Sequence, residues 1–565
     1  MAKQAGNGSK QHELTVYRDT VESIWVAIVL AFVLRAFVIE AFVIPTGSMA
    51  PRLLGAHWDL RCPVCGYEYA YGGAKQQQDV GLLPRSKKTP PKLARCPNCG
   101  ASYPYADRRQ YVNSGDRVLV LKYLYRFAEP QPWDVVVFKN PQDNSMNYIK
   151  RLIGVPGDSI EIVHGDIFVS RDQGKTFDIR RKPPRAQRAM WQVVYDNDYR
   201  PDPNLLGSLR PPGWIGGRGA AHWDMEGWAG RRFAFEGSDL ESELVFQPGP
   251  GGFLPHYGYN EWGEERKRYM SDTDVCGDLK LSVVMVPRDR PSVLALRLSS
   301  FEFSFRAEVH TDGRAVLSCQ SPDLPEGGFV TEARIEPLTI GRGCEIALTH
   351  VDFRASLWID GRCVLQTTDQ EYPGGRAHEW LARRLAETSR RPVPAPDLRI
   401  SARGGPLDLW HTKVHRDVYY TQHRLDGVPS GPQGEYADEI NKALVNRTLD
   451  DGDGRFRLVE KGGRGWGTAG CPIHLRKHPH NPDFDEFFVL GDNSPQSLDG
   501  RGWVAAAPSL RLKGTDGGFQ YQLGTVPRYN LLGKALFVYW PGGHRTALLP
   551  GLPIIPNVGR MRFIR

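Results

Sequence analysis

Apolar and polar positions fall into three patterns along this chain. A near-continuous apolar run fills residues 24–43, IWVAIVLAFVLRAFVIEAFV, interrupted only by Arg35 and Glu40. About twenty mostly apolar residues, at ~1.5 Å rise each, suffice to cross a bilayer's hydrocarbon. The run therefore predicts a transmembrane helix over 23–44. Farther on the pattern changes to short alternating stretches. Val118 and Val120, then 134–138 (DVVVF), then 148–150 (YIK) read as strands between Pro, Gly and Asn turns. The same signature returns at 279–286, 294–298, 301–305 and 355–359, with Asp-Gly hairpin turns at 312–313 and 360–361. The fold class this predicts is mainly β: an antiparallel core around 113–165 and a separate β-sandwich over 220–425. The third pattern is turn-rich sequence. Residues 166–219 read as linker or accessory β, and 426–485, rich in Gly, Asp and Arg, as a return linker. Within the sandwich, 375–391 is rich in Arg and Ala. Trp380, Leu381 and Leu385 fall there at helical spacing, as core contacts would.

Length and charge narrow this picture. A chain of 565 residues is expected to form two or three domains. Its net charge of +8 comes without a Lys/Arg block, so nucleic acid is excluded as a partner and anionic lipid is retained. Sixty Gly and forty-three Pro in mixed order suit a turn-rich β protein. Residues 1–22 are polar and read as a short cytoplasmic tail. Lys3, Lys10 and Arg18 precede the apolar run, while Arg52 and Arg61 follow it, a slight positive-inside bias. A cleavable signal peptide is the alternative to an anchor. No small-x-small site follows cleanly, so the expectation is an anchor. Arg35 and Glu40 would snorkel or pair near the outer interface.

Candidate chemistry starts just after the run. Pro45 ends the helix, Gly47 lets the chain turn, and Ser48 is presented in PTGSMAP (45–51). Read alone, this is a helix stop and a Ser/Gly loop. A partner lies in YIKRLIGVPGD (148–158), where Lys150 sits among apolar neighbours. Desolvation lowers a lysine's pKa, and a serine beside such a lysine is a known nucleophile–base pair. A third stretch, LGDNSPQSLDGR (490–501), carries hydroxyls and a carboxylate–guanidinium pair able to orient the two.

These stretches, with GDRVLVLKY (115–123), resemble the bacterial type I signal peptidases, membrane-anchored Ser/Lys endopeptidases, and occur in that family's order. The resemblance covers roughly 20–54, 113–165 and 486–545. It implies a core assembled from 45–54 (nucleophile), 113–165 (general base) and 486–565. By it, Ser48 is the nucleophile and Lys150 the general base. Thr46 and the Ser48 backbone N–H form the oxyanion hole. Ser497 holds the Lys150 amine, Asp499 and Arg501 brace that loop, and Asp492 supports it. No cofactor serves catalysis. The partners implied are signal peptides of preproteins, membrane lipid and the secretion translocon, with the catalytic domain on the extracytoplasmic side of the inner membrane. Two departures stand out: Gly500 replaces the family's usual Ser, and residues 504–525 separate Trp503 from Val526-Pro527. Both bear on the geometry behind Lys150 rather than on the reaction class.

Residues 55–112 carry two CPxCG knuckles, Cys62/Cys65 and Cys96/Cys99, which read as a zinc-ribbon-like insertion with a structural four-sulfur site. Two disulfides are the competing reading, since the segment is expected in an oxidising compartment. Cys276, Cys319, Cys344 and Cys363 are candidates for pairing within the sandwich. Cys471, His474, His478 and His480 are metal ligands by type, but their spacing fits a polar loop. The late WIDG strand loosely resembles concanavalin/laminin-G jelly rolls, which implies a glycan or protein ligand, against a sandwich with no ligand. The resemblance thus implies a membrane-anchored signal peptidase. The alternatives are a cell-surface binding protein with a relict peptidase core, which intact Ser48, Lys150 and Ser497 argue against, and a Ser/Lys peptidase dedicated to one partner.

Overall fold

The computed structural model describes residues 5–72, 93–103, 113–249, 252–260, 275–289, 291–324, 327–373, 375–421, 465–503, 506–507, 510, 521–542 and 557–564. The excursion between the knuckles and most of the return linker lie outside these residues.

The apolar run is not one helix. A helix spans Ala5–Val33, starting inside the stretch read as a polar tail. It passes through a π-helical turn, Leu34–Val38, into a strand, Ile39–Val43 (β1). Among the described residues no helix is long and apolar enough to cross a membrane. This corrects the transmembrane expectation over 23–44. The physical reason lies in Ile39, Phe42 and Val43, β-branched or aromatic residues that suit a pleated sheet as well as a helix. Their partner decides: β1 pairs antiparallel with Arg117–Leu121 (β2), Ile39 opposite Leu121 and Val43 opposite Arg117. Glu40 then meets Lys122 at 3.2 Å.

Six further strands complete the core sheet: Val135–Asn140 (β3), Asp143–Gly154 (β4), Glu486–Leu490 (β5), Val526–Pro527 (β6), Leu531–Trp540 (β7) and Arg562–Phe563 (β8). Their order is β1–β2–β7–β3–β4–β5–β6, with β8 on β7, and every pairing is antiparallel. Alternation gives the sheet two buried faces. Val135, Val137 and Ile149 pack with Met49 and Leu53 on one side. Val136, Phe138 and Leu152 pack with Val489 and Trp503 on the other. The β3–β4 hairpin sets Val136 opposite Lys150, and β5 sets Leu490 opposite Arg151. Residues far apart in sequence thereby converge at one end of β4.

The sandwich consists of an eight-stranded and a seven-stranded antiparallel sheet closing on a core that includes Leu281, Phe303, Leu348 and Ile400. Gln192–Asp196 and Gly213–Gly216, within the stretch read as linker or accessory β, each add a strand to one of these sheets. Trp380 and Leu381 lie buried in a helix, Ala377–Ala386, with Trp380 edge-on to Phe301 and Phe303. Cys276, Cys319, Cys344 and Cys363 are free thiols, so the pairing expected of them is not formed. A four-stranded sheet of Ser159–Val163, Asp166–Ser170, Asp178–Ile179 and Ile473–His474 bridges core and sandwich.

Candidate active site

Ser48 sits in a single 3-10 turn, Gly47–Met49, where Pro45 and Gly47 have ended the preceding strand. Lys150 comes from the buried end of β4. Its Nζ donates a hydrogen bond to Ser48 Oγ at 2.7 Å and another to the Ile149 carbonyl at 3.1 Å. Ser48 is 6 % exposed and Lys150 3 %. Burial pulls the Lys150 amine down to about 8, and Arg501 adds to this, against the opposing pull of Asp499 and Asp492. A lysine so poised is partly neutral near physiological pH. In that form its lone pair accepts the serine proton.

Thr46, half-buried, is the N-cap of the serine turn and makes no side-chain cap hydrogen bond. The first N–H groups of a helical turn have no partner within it. The cap therefore consumes neither the Thr46 hydroxyl nor the Ser48 N–H.

The loop after β5 wraps this turn. Asn493 N–H donates to the Ser48 carbonyl at 3.0 Å, and its side-chain amide donates to the Gly47 carbonyl at 2.9 Å. Gly491 passes so close that a Cβ there would lie 2.2 Å from Ser497 Oγ and 2.6 Å from the Ser48 carbonyl oxygen. Buried Ser497 and the Ser48 main-chain carbonyl thus both crowd Gly491. The Asp499 carboxylate accepts from Gly491 N–H at 3.0 Å and from Arg501 at 2.8 and 2.7 Å, with both side chains fully buried. Asp492 takes Arg151 as a bidentate partner at 2.7 and 2.6 Å. The substituted Gly500 has its own reason: a Cβ would meet Phe488 at 2.6 Å and the Gly524 carbonyl at 2.7 Å.

Sequence reasoning missed several residues at this site. Asn260, from the end of a described stretch ahead of the sandwich's central strands, exchanges amide hydrogen bonds with Asn493 at 2.7 and 2.8 Å. Tyr259 donates its hydroxyl to the Ala56 carbonyl at 2.9 Å. Thr421, where the sandwich segment leaves, accepts from Arg501 at 2.6 Å and donates its N–H to Ser494 Oγ at 2.8 Å. An internal loop of the insertion and its C-terminal exit therefore both hold the catalytic loop. Asn493 stood within a quoted motif, but Asn260 and Thr421 carry no local signal.

The four knuckle cysteines converge, their sulfurs all within 4.8 Å of one another. Cys62 and Cys99 lie 3.7 Å apart, and Cys65 and Cys96 3.6 Å. A disulfide would need ~2.05 Å. A tetrahedral ion with ~2.3 Å bonds to sulfur sets them about 3.8 Å apart. Asn98 docks its knuckle on the sandwich, accepting from Asp196 N–H at 2.7 Å. The histidines of the stretch read as a polar loop make loop hydrogen bonds: His474 Nδ1 bonds Ser159 Oγ at 2.6 Å, and His478 Nδ1 accepts from the Asn481 N–H at 2.9 Å.

The family model described as signal peptidase, peptidase S26, matches residues 104–203. Over 43 residues the chain is 49% identical to signal peptidase I of Rickettsia canadensis, covering 8% of this chain and 16% of that protein. Over 117 residues it is 30% identical to signal peptidase I of Buchnera aphidicola, covering 17% and 37%. The chain thus spans well under half the length of these relatives. Among solved structures it is similar to a carbohydrate-binding module, CBM66, from Bacillus subtilis, at 12% identity, 37% and 94% coverage and TM-score 0.19. It is also similar to a laminarinase catalytic domain from Thermotoga maritima, at 10% identity, 40% and 99% coverage and TM-score 0.24. Likenesses at these TM-scores assign nothing to the sandwich. The sequence relatives do assign the peptidase part: this chain contains a type I signal peptidase region.

Proposed function

We propose that the chain is a serine endopeptidase that removes signal peptides from preproteins with a Ser48/Lys150 dyad. The observation that carries this reading is the 2.7 Å contact between two buried side chains, one an amine drawn down to about 8. Neutral Lys150 takes the Ser48 proton as Oγ attacks the scissile carbonyl, and returns it to the leaving amine. The Ser48 N–H and the Thr46 hydroxyl receive the developing oxyanion. Water, deprotonated by the same lysine, then resolves the acyl-enzyme. Ser497 and the Asp499–Arg501 pair hold the loop that backs the lysine.

Membrane association is part of the proposal. Trp25, Val26 and Phe32 are each more than 60 % exposed on the N-terminal helix, an apolar surface suited to lipid. The catalytic domain would face the extracytoplasmic side, where preproteins emerge from the translocon. Cys62, Cys65, Cys96 and Cys99 would hold a structural zinc, their spacing fitting that ion better than disulfides. Metal analysis should find one zinc per chain, lost in Cys96→Ser.

The test is cleavage of a preprotein by full-length protein in detergent, beside Ser48→Ala and Lys150→Ala. Cleavage after a small-x-small site, lost in both variants, supports the reading. A folded wild type that cleaves no preprotein overturns it.

A further inference from the structure

Beside the nucleophile turn lies a cavity of about 260 Å³ whose wall holds Arg52, Arg151, Arg185, Arg188 and Arg562. The carboxylate among its lining residues is Asp492, and both its oxygens are taken by Arg151. Arg562 has a distant companion in Asp116, at 3.5 Å. Arg52, Arg185 and Arg188 have no ion-pair partner among the described residues; Arg52 donates only to the Arg188 carbonyl, at 3.1 Å. Burial, together with Arg562 and Arg151 and against Asp492, brings Arg52 down to about 10.

Half-buried Arg52 and Arg562, beside the buried Arg151–Asp492 pair, leave positive charge in a partly desolvated space, and exposed Arg185 and Arg188 add to it. Such charge is costly unless an anion meets it. Guanidinium forks match the paired oxygens of a phosphoryl group, and several converging on one volume suit a tetrahedral oxyanion. The cavity also borders Phe563, 62 % exposed, so an acyl-linked headgroup could enter with its chains outside.

We propose that this cavity is a binding site for a phosphoryl oxyanion, supplied as free phosphate or as an anionic phospholipid headgroup. The site stands apart from the peptidase reading, because occupancy is measured without catalysis. If Lys150 is the base, an anion near its neighbour Arg151 favours the charged amine. It would then move the lower limb of the pH–rate profile to higher pH.

Titration calorimetry of the full chain with inorganic phosphate, and flotation with phosphatidylglycerol or phosphatidylcholine vesicles, test this. The variants are Arg52→Gln and the exposed pair Arg185→Gln/Arg188→Gln, which keeps the proposal testable should the first fail to fold. Arg390→Gln, exposed on the sandwich, is the control. The expected result is binding of phosphate, or selective binding of phosphatidylglycerol vesicles, weakened at least tenfold in the cavity variants and unchanged in the control. Phosphate binding identifies the free anion as sufficient; vesicle selectivity without it identifies the headgroup. Binding to neither probe, or binding equal in the cavity variants and wild type, overturns the proposal.

Discussion

Asn260 and Asn493 exchange side-chain amide hydrogen bonds at 2.7 and 2.8 Å, and Asn493 in turn holds the carbonyls of Gly47 and Ser48. One residue outside the peptidase motifs thus fixes the loop that fixes the nucleophile. Replacing Asn260 with Ala leaves a buried amide half-satisfied, a cost of about 1–3 kcal/mol. The expected outcome is a fall in kcat of about tenfold with KM little changed, since the turn's position rather than substrate contact is lost. The double variant Asn260→Ala/Asn493→Ala should lose less than the product of the single losses, as coupled residues do. Steady-state kinetics of the three variants checks this.

Gly491 makes the second close fit. Gly491→Ala pushes a methyl into Ser497 Oγ and the Ser48 carbonyl, so the loop must move away from the dyad. On the order of a hundredfold loss of kcat is expected from such a displacement. Thermal unfolding beside the kinetics separates this from global unfolding: the fall in activity should far exceed what any shift in Tm explains.

Thr46 offers its hydroxyl without capping the turn. Thr46→Val keeps the shape and removes the donor, with an expected kcat loss of ~10²–10³, the scale of one oxyanion donor. Thr46→Ser should restore most of it. Equal activity in Thr46→Val and wild type would remove Thr46 from the oxyanion hole.

Lys150 also leaves a mark on stability. Its folded value of about 8 lies below its ordinary 10.5, so between these the unfolded chain binds the extra proton. Stability therefore rises with pH across that window, and below 8 the full penalty of the buried charge is present. Lys150→Met should abolish this rise. The difference between variant and wild type should shrink by on the order of 3 kcal/mol from pH 7.5 to 10.5 in denaturant titrations.

How far the sequence carried depended on how local each feature is. Ser48, Lys150 and the four knuckle cysteines belong to short motifs whose spacing is itself the chemistry. The strands at 279–286 and 294–298 announced themselves by alternation. What escaped was set by pairing at long range. Residues 39–43 read as the end of a helix because an apolar run has no period until β2 lies beside it. Asn260 and Thr421 reach the site only because the sandwich brings an internal loop and its exit to the same catalytic loop. Arg52 and Arg188 line one cavity although 136 positions separate them, a relation that no linear spacing encodes.

The most direct test of the account is the pH dependence of kcat/KM on a preprotein substrate. A single ionisation near pH 8 should control its lower limb, with activity rising tenfold per unit below that and levelling above it. This is the titration of Lys150 to its neutral, proton-accepting form. A profile flat from pH 6 to 9, or one governed by an ionisation near 6.5, would mean that another group, not Lys150, activates Ser48.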